Sequence, residues 1–151
     1  MIPPDRLVLL DTGVLVLLAR GGEAGRAVDA ALGLADRPER PLISHVTLAE
    51  SLSLATKLGW GAARTRRLRD LFAQLVVVNI HQHGVLDSYV TLDRFTESEG
   101  RRMEKNDLWI AATAHALDAV LVTTDTDFDT VGESHITRIL VDSRTGSVRG
   151  G

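Results

Sequence analysis

Residues 106–128 read NDLWIAATAHALDAVLVTTDTDF, a helical pattern followed at once by a strand pattern. Positions 108–117 are apolar on most faces of a helix, as expected of a helix buried in the interior. Positions 119–124 form an apolar and β-branched run that ends at Asp125. Because polar and apolar residues do not alternate in this run, it predicts a strand covered on both faces, which is typical of a parallel sheet.

Similar short runs recur along the chain, with helical patterns between them. They occupy positions 7–10, 41–44, 75–80 and 136–141. Strands that alternate with helices predict right-handed crossovers and helices on both faces of one sheet. We therefore expect an α/β fold in which a parallel sheet lies between two helical layers.

The chain has 151 residues and no cysteine. This length predicts one domain, which we place at residues 1–143, followed by a flexible C-terminal tail at 144–151. The lack of cysteine excludes disulfides, cysteine-ligated zinc and thiol nucleophiles. The opening MIPPDR lacks a signal-peptide pattern, and no apolar run approaches the ~18–20 residues of a membrane span. We therefore expect a soluble, cytoplasmic protein without a membrane partner.

Four acidic residues stand at the ends of predicted elements. Asp11 and Asp125 follow strands, Asp107 opens the helix at 108–117, and Glu50 lies in the segment HVTLAE. Ligands of open α/β sheets bind beyond the carboxyl ends of the strands, so these acids are expected at one edge of the sheet. Like charges brought within ~4–6 Å repel each other, and a bound cation would neutralise them. These acids provide only oxygen donors, so the cations that fit are Mg²⁺ or Mn²⁺. Both ions suit phosphoryl chemistry.

Each acid also has an ordinary structural explanation. Asp11 could be a turn residue, Asp107 could follow an N-cap at Asn106, and Thr47 with Glu50 matches a capping box. The acidic run that starts at Asp125 resembles a calcium-binding loop. That interpretation fails, because Thr130 and Ile136 occupy the positions where an EF-hand has glycine and glutamate.

Three cations directly precede Asp107 and are candidates for RNA binding. They are Arg101, Arg102 and Lys105, and a cation near the acids could hold a phosphate that the acids alone would repel. The formal net charge of −3 argues against binding nucleic acid mainly through bulk electrostatics.

Three segments together resemble a known family. They are LLDTGVLVLL at 9–18, ISHVTLAES at 43–51 and the segment at 106–128, and their order and spacing resemble the PIN domain, in particular the VapC-type toxins, over about residues 7–141. The resemblance implies a three-layer α/β/α sandwich with a five-stranded parallel sheet of order 3-2-1-4-5. Matching motif positions identify the family's acidic quartet as Asp11, Glu50, Asp107 and Asp125.

The resemblance further implies a Mg²⁺- or Mn²⁺-dependent endoribonuclease. Water activated by the metal would attack the RNA phosphodiester and leave a 3′-hydroxyl and a 5′-phosphate. The implied metal ligands are Asp11, Asp107, Asp125 and the further acid Asp127, with Glu50 as a ligand through water or a base. Thr12 matches a hydroxyl that often supports the first acid, and Asn106 matches the polar residue before the third acid; both would contact metal ligands and not the metal itself. The implied partners are an RNA substrate, a VapB-like antitoxin and a second copy of the chain.

Two other functions are compatible with the same sequence. One is a catalytically inactive PIN scaffold that binds RNA or protein. The other is a haloacid-dehalogenase-like phosphatase, whose D-x-D pattern after the first strand would need an acid where Gly13 stands.

Overall fold

The computed structural model describes residues 2–150, so the first residue of the expected domain and the last residue of the expected tail lie outside the described part. Six strands of these residues form one sheet: β1 (Val8–Leu10), β2 (Leu42–Ser44), β3 (Val76–Val78), β4 (Val120–Thr123), β5 (Thr137–Val141) and β6 (Val148–Gly150). Their order is β3-β2-β1-β4-β5-β6. The first five are parallel, which confirms the predicted order, and β6 adds an antiparallel strand beside β5.

Six α-helices accompany the sheet in the described part of the chain. They are α1 (Thr12–Arg20), α2 (Glu23–Leu32), α3 (His45–Lys57), α4 (Ala62–Phe72), α5 (Val85–Ser98) and α6 (Lys105–Leu117). Short 3₁₀ turns lie at Leu34–Asp36 and Thr126–Thr130. Across residues 2–150, none of the helices has both the length and the apolar character that crossing a membrane requires.

Alternating residues of the central strands enter two separate cores. Val8 and Leu10 of β1 pack with the core that includes Val14 and Val28, on the side of α1 and α2. Leu9 packs with the opposite core, which is formed largely by α5, α6 and the segment 128–136. The sheet therefore lies between two helical layers, as predicted, because side chains alternate across a strand.

The edge strand β3 departs from the expectation that every strand is covered on both faces. Val76 and Val77 are 44% and 38% exposed, whereas Val78 is buried. The prediction was wrong here because an apolar run does not distinguish a central strand from an edge strand that has one neighbour.

The expectation of a flexible C-terminal tail at 144–151 was wrong, because part of this segment forms strand β6. Asp142 holds the turn before it: its side-chain Oδ1 accepts the backbone N–H groups of Arg144 and Thr145 at 2.8 and 2.9 Å. The N–H of Gly146 donates to the Asp142 carbonyl at 2.8 Å, and the chain then returns along β5. Turn chemistry, rather than apolar content, orders this segment.

Two helix starts also differ from the sequence-based interpretation. Helix α3 begins at His45, and its N-cap is Ser44, whose hydroxyl accepts the Val46 N–H at 3.2 Å, so Thr47 does not open a capping box. Helix α6 begins at Lys105 after Glu104, which places Asn106 within the first turn instead of at the N-cap. With these helix starts, neither Glu50 nor Asn106 takes part in a helix cap, and both side chains can face the edge of the sheet.

Candidate metal centre

Asp11 lies where β1 passes into α1, and its carboxylate is fixed on both oxygens. Oδ1 accepts the Thr12 N–H at 2.7 Å, and Oδ2 accepts the Thr123 hydroxyl at 2.6 Å. Asp11 is only 6% exposed. Burial raises the pKa of Asp11 to about 6; the two hydrogen bonds lower it, while the charges of Glu50 and Asp125 raise it further.

Asp107, Asp125 and Asp127 form a cluster beside Asp11, which we call the acid cluster. Each offers a carboxylate oxygen, and these oxygens all lie within 4.8 Å of one another. The Asp127 N–H donates to Asp125 Oδ1 at 2.8 Å, so the 3₁₀ turn after β4 fixes the direction of the Asp125 carboxylate. Partial burial raises the pKa of Asp107 to about 7, and the nearby charges of Asp11, Asp125, Glu50 and Glu104 add to the rise.

Glu50 approaches the same edge from α3 but is held by neutral donors. Its Oε1 accepts the Thr12 hydroxyl at 3.0 Å, and its Oε2 accepts the Asn106 side-chain amide at 3.3 Å. The expectation that the Thr12 hydroxyl supports Asp11 is therefore wrong, because the backbone N–H of Thr12 makes that contact. The side chain of Asn106 contacts another acid of the predicted quartet, Glu50.

Strand order explains why these residues meet. β1 lies between β2 and β4, with Leu10 level with Val122, and the Asp11 N–H donates to the Val122 carbonyl at 2.9 Å. The carboxyl ends of β1 and β4 thus place Asp11 next to the segment that carries Asp125. The N-terminal turn of α6 brings Asp107 to the same edge of the sheet.

Thr123 is a residue of this site that sequence reasoning missed. It is fully buried at the last position of β4, donates its hydroxyl to Asp11 and accepts the Asp125 N–H at 3.0 Å. A hydroxyl two positions before a strand-end acid is the signal that could have identified it. In contrast, the structure leaves the predicted RNA contacts Arg101, Arg102 and Lys105 exposed, just before or at the start of α6.

A cavity of about 520 Å³ lies elsewhere. Leucines are the most frequent residues of its lining, which includes Pro41 and Leu75; these two directly precede β2 and β3 and so mark the opposite edge of the sheet. Its one acidic residue is Asp29. Because it lacks a set of converging carboxylates, we place the chemistry at the acid cluster and not in this larger cavity.

The donors of the acid cluster fit a hard divalent cation. All of them are carboxylate oxygens, which suit Mg²⁺ or Mn²⁺ better than zinc or copper. Burial and, after it, the neighbouring acids raise the pKa of Asp11 and Asp107, and a cation would offset both effects. Fold and site together define an α/β protein with a cluster of carboxylates at the carboxyl edge of its parallel strands.

Comparison with known families shows the family to which the chain belongs. The sequence model of the PIN domain matches residues 8–134. The chain therefore belongs to the PIN-domain family, and the resemblance seen in its motifs is confirmed. A comparison with curated proteins finds no significant match.

Several solved structures share the fold. One is VapBC2 from Rickettsia felis, bound to a DNA fragment from its promoter, with a TM-score of 0.72 and 22% identity over 87% of this chain and 98% of that chain. Another is VapBC-5 from Mycobacterium tuberculosis, with a TM-score of 0.66 and 24% identity over 90% and 99% of the two chains. The sarcin–ricin-loop-cleaving toxin VapC20 of the same organism aligns with a TM-score of 0.61 and 18% identity over 83% and 95%.

Proposed function

We propose that the protein is a VapC-type toxin, a Mg²⁺- or Mn²⁺-dependent endoribonuclease that pairs with a VapB-like antitoxin. The observation that carries this proposal is the convergence of Asp107, Asp125 and Asp127 beside the buried Asp11. Membership of the PIN-domain family supports it, as does the shared fold with toxin–antitoxin complexes. The proposal includes a homodimer and a cytoplasmic location.

The residues that would hold the metal are Asp11, Asp107, Asp125 and Asp127. When bound, the ion polarises a phosphoryl oxygen and lowers the pKa of a coordinated water. The two hydrogen bonds to Asp11 leave further lone pairs on each oxygen, so its carboxylate can still face a cation.

Glu50 would orient the attacking water or accept its proton. Thr12 and Asn106 fix the direction of its carboxylate, and neither neutralises its charge. In the reaction the water oxygen bonds to phosphorus while the bond from phosphorus to the 3′-oxygen breaks, which leaves a 3′-hydroxyl and a 5′-phosphate. Arg101, Arg102 and Lys105 would contact neighbouring phosphates.

The central test replaces one acid of the cluster. We expect Asp107→Asn to abolish Mn²⁺-dependent cleavage of total RNA, since the variant loses a metal-binding charge at the centre of the site. The matched control is Asp93→Asn, which removes the same charge from an exposed position on α5. Gel analysis with Mn²⁺ or with EDTA measures cleavage, and circular dichroism checks that both variants fold.

Three outcomes separate the alternatives. RNA left intact by the unmodified protein, together with no Mn²⁺ binding, would favour an inactive scaffold. Phosphate release from small monoesters without RNA cleavage would favour the phosphatase, which the structure disfavours because a side chain at Gly13 would overlap the Thr124 hydroxyl. Growth arrest on expression, relieved by a small co-encoded partner, would distinguish a toxin from a housekeeping nuclease.

A further inference from the structure

A groove of about 390 Å³ opens beside Glu50 on the side of α3. It is lined by Thr12, Ala49, Glu50, Ser53, Leu54, Lys57 and Asn106. The α3 members are two adjacent pairs, Ala49–Glu50 and Ser53–Leu54, followed by Lys57, and the intervals of three or four residues between turns place them on one face of the helix. The groove therefore starts at the candidate metal centre and follows α3 towards its C-terminal end.

Charge is distributed unevenly along this groove. Glu50 stands at the end nearest the acid cluster, and Lys57 is the cation of the lining, seven residues further along α3, which is about 10 Å at the rise of a helix. Lys57 is exposed, and within residues 2–150 its ammonium forms no ion pair. A cation in the last turn of a helix is favoured by the helix dipole, which explains the residue type but not its place in a groove that leads to the metal site.

We propose that this groove, here called the α3 groove, binds the sugar–phosphate backbone of RNA next to the bond that is cut. Lys57 contacts a phosphate adjacent to the scissile one, and the exposed Ser53 hydroxyl between Glu50 and Lys57 hydrogen-bonds the backbone. The proposal rests on the nuclease function proposed above. Phosphate contacts of this kind position a strand without reading its sequence, so the groove sets register and affinity.

The test measures RNA binding separately from cleavage. Every variant carries Asp107→Asn so that RNA stays intact, and fluorescence anisotropy follows a short, dye-labelled, mixed-sequence single-stranded RNA between about 50 mM and about 200 mM salt. Lys57→Met keeps most of the aliphatic stem and removes the charge. Lys57→Arg keeps the charge, and Arg40→Met removes an exposed cation next to Pro41, at the opposite edge of the sheet.

We expect Lys57→Met to weaken RNA binding about 3–10-fold at the lower salt concentration and to reduce the salt slope by about 0.7, the contribution of one phosphate contact to a single strand. Lys57→Arg and Arg40→Met should both bind like the parent. If Lys57→Met and the parent bind RNA equally well, the α3 groove does not bind the RNA backbone. That result would not contradict the proposed nuclease function. A parent that binds no RNA would contradict the proposed function and the groove together.

Discussion

The hydroxyl of Thr123 links two acids of the candidate site that follow different strands. It donates to Asp11 at the end of β1 and accepts from the backbone of Asp125 after β4. Because Thr123 is fully buried, water cannot replace either hydrogen bond. The Thr123 side chain therefore determines both the direction of the Asp11 carboxylate and the path of the backbone into Asp125.

Removing this hydroxyl should weaken metal binding without removing any acid. Thr123→Val keeps the shape of the side chain but leaves Asp11 Oδ2 and the Asp125 N–H without a partner, at a cost of about 1–3 kcal/mol in stability. Loss of a group that orients metal ligands typically lowers metal affinity about 10–100-fold, and we expect an effect in that range for Mn²⁺. Isothermal titration calorimetry measures the affinity, and thermal unfolding measures the stability.

Two further substitutions show whether the effect comes from positioning. Thr123→Ser retains the hydroxyl and should recover most of the affinity. Thr113→Val removes another buried hydroxyl, which donates to the Trp109 carbonyl within α6, and should leave Mn²⁺ affinity unchanged. If the Thr123→Val variant binds Mn²⁺ as tightly as the unmodified protein, Thr123 does not position the ligands.

At the scale of elements, sequence reasoning succeeded where a local pattern decides the structure. The apolar run at 119–124 and the apolar helix at 108–117 correspond to β4 and α6, and the acids at their ends reach one edge of the sheet. Strand-end position was enough to bring Asp11 and Asp125 together, because neighbouring parallel strands end at the same edge.

The remaining features depended on contacts between elements or on turn chemistry. No pattern in the sequence indicates that the Thr12 hydroxyl turns to Glu50 instead of Asp11, since that choice depends on how α1 packs against α3. Strand β6 contains a single large apolar residue, Val148, and so lacks the hydrophobic run that predicts strands. The sequence feature that could have predicted β6 is the turn formed by Asp142 and Gly146.

The β5–β6 turn provides a prediction at this scale. Gly146 is buried with φ of +72°, and a Cβ there would overlap the backbone carbonyl of Ala24 in α2. Gly146→Ala should therefore lower the melting temperature through both backbone strain and steric overlap. The control is Gly33→Ala, where φ is +57° but no atom lies within 4 Å of the added Cβ.

Thermal unfolding by circular dichroism compares the two variants. Gly33→Ala reports the positive-φ strain alone, about 1–2 kcal/mol. Overpacking adds about 1–3 kcal/mol, and each kcal/mol is worth about 2–4 °C in a domain of this size, so Gly146→Ala should melt several degrees lower than Gly33→Ala. Equal melting temperatures would show that the turn does not pack against α2 as described.

Across the whole molecule, folding gathers acids from distant parts of the chain against their mutual repulsion. Asp11 comes from the first strand, Glu50 from α3, and Asp107 with Asp125 from the last third of the sequence, yet their charges act on one another. Burial and this repulsion raise the pKa of Asp11 to about 6 and of Asp107 to about 7. Ionising Asp11 and Asp107 at neutral pH is therefore costly in the folded protein, and a bound cation should stabilise the whole domain.

The sign of the pH dependence follows from these shifts. A carboxyl group whose pKa is raised by folding favours the folded state at low pH, and that stability is lost as pH rises from the unfolded pKa, near 4, through the folded values of about 6 and 7. In EDTA, Asp107→Asn should therefore melt higher than the unmodified protein, and its advantage should grow between about pH 5 and about pH 8. Differential scanning fluorimetry of both proteins across this range measures the difference.

Mn²⁺ should reverse this order, because it binds the ionised acids. At a concentration about 100 times its dissociation constant it adds about 2.7 kcal/mol, or about 5–10 °C for a domain of this size. We expect the gain for the unmodified protein to be larger at about pH 8 than at about pH 5, where protons compete for the same oxygens. Asp107→Asn should gain much less at either pH, while Asp93→Asn should respond like the unmodified protein. If Mn²⁺ raised the melting temperature of Asp107→Asn as much as that of the unmodified protein, the cation would bind elsewhere. The raised pKa values of the acids would then be unrelated to metal binding.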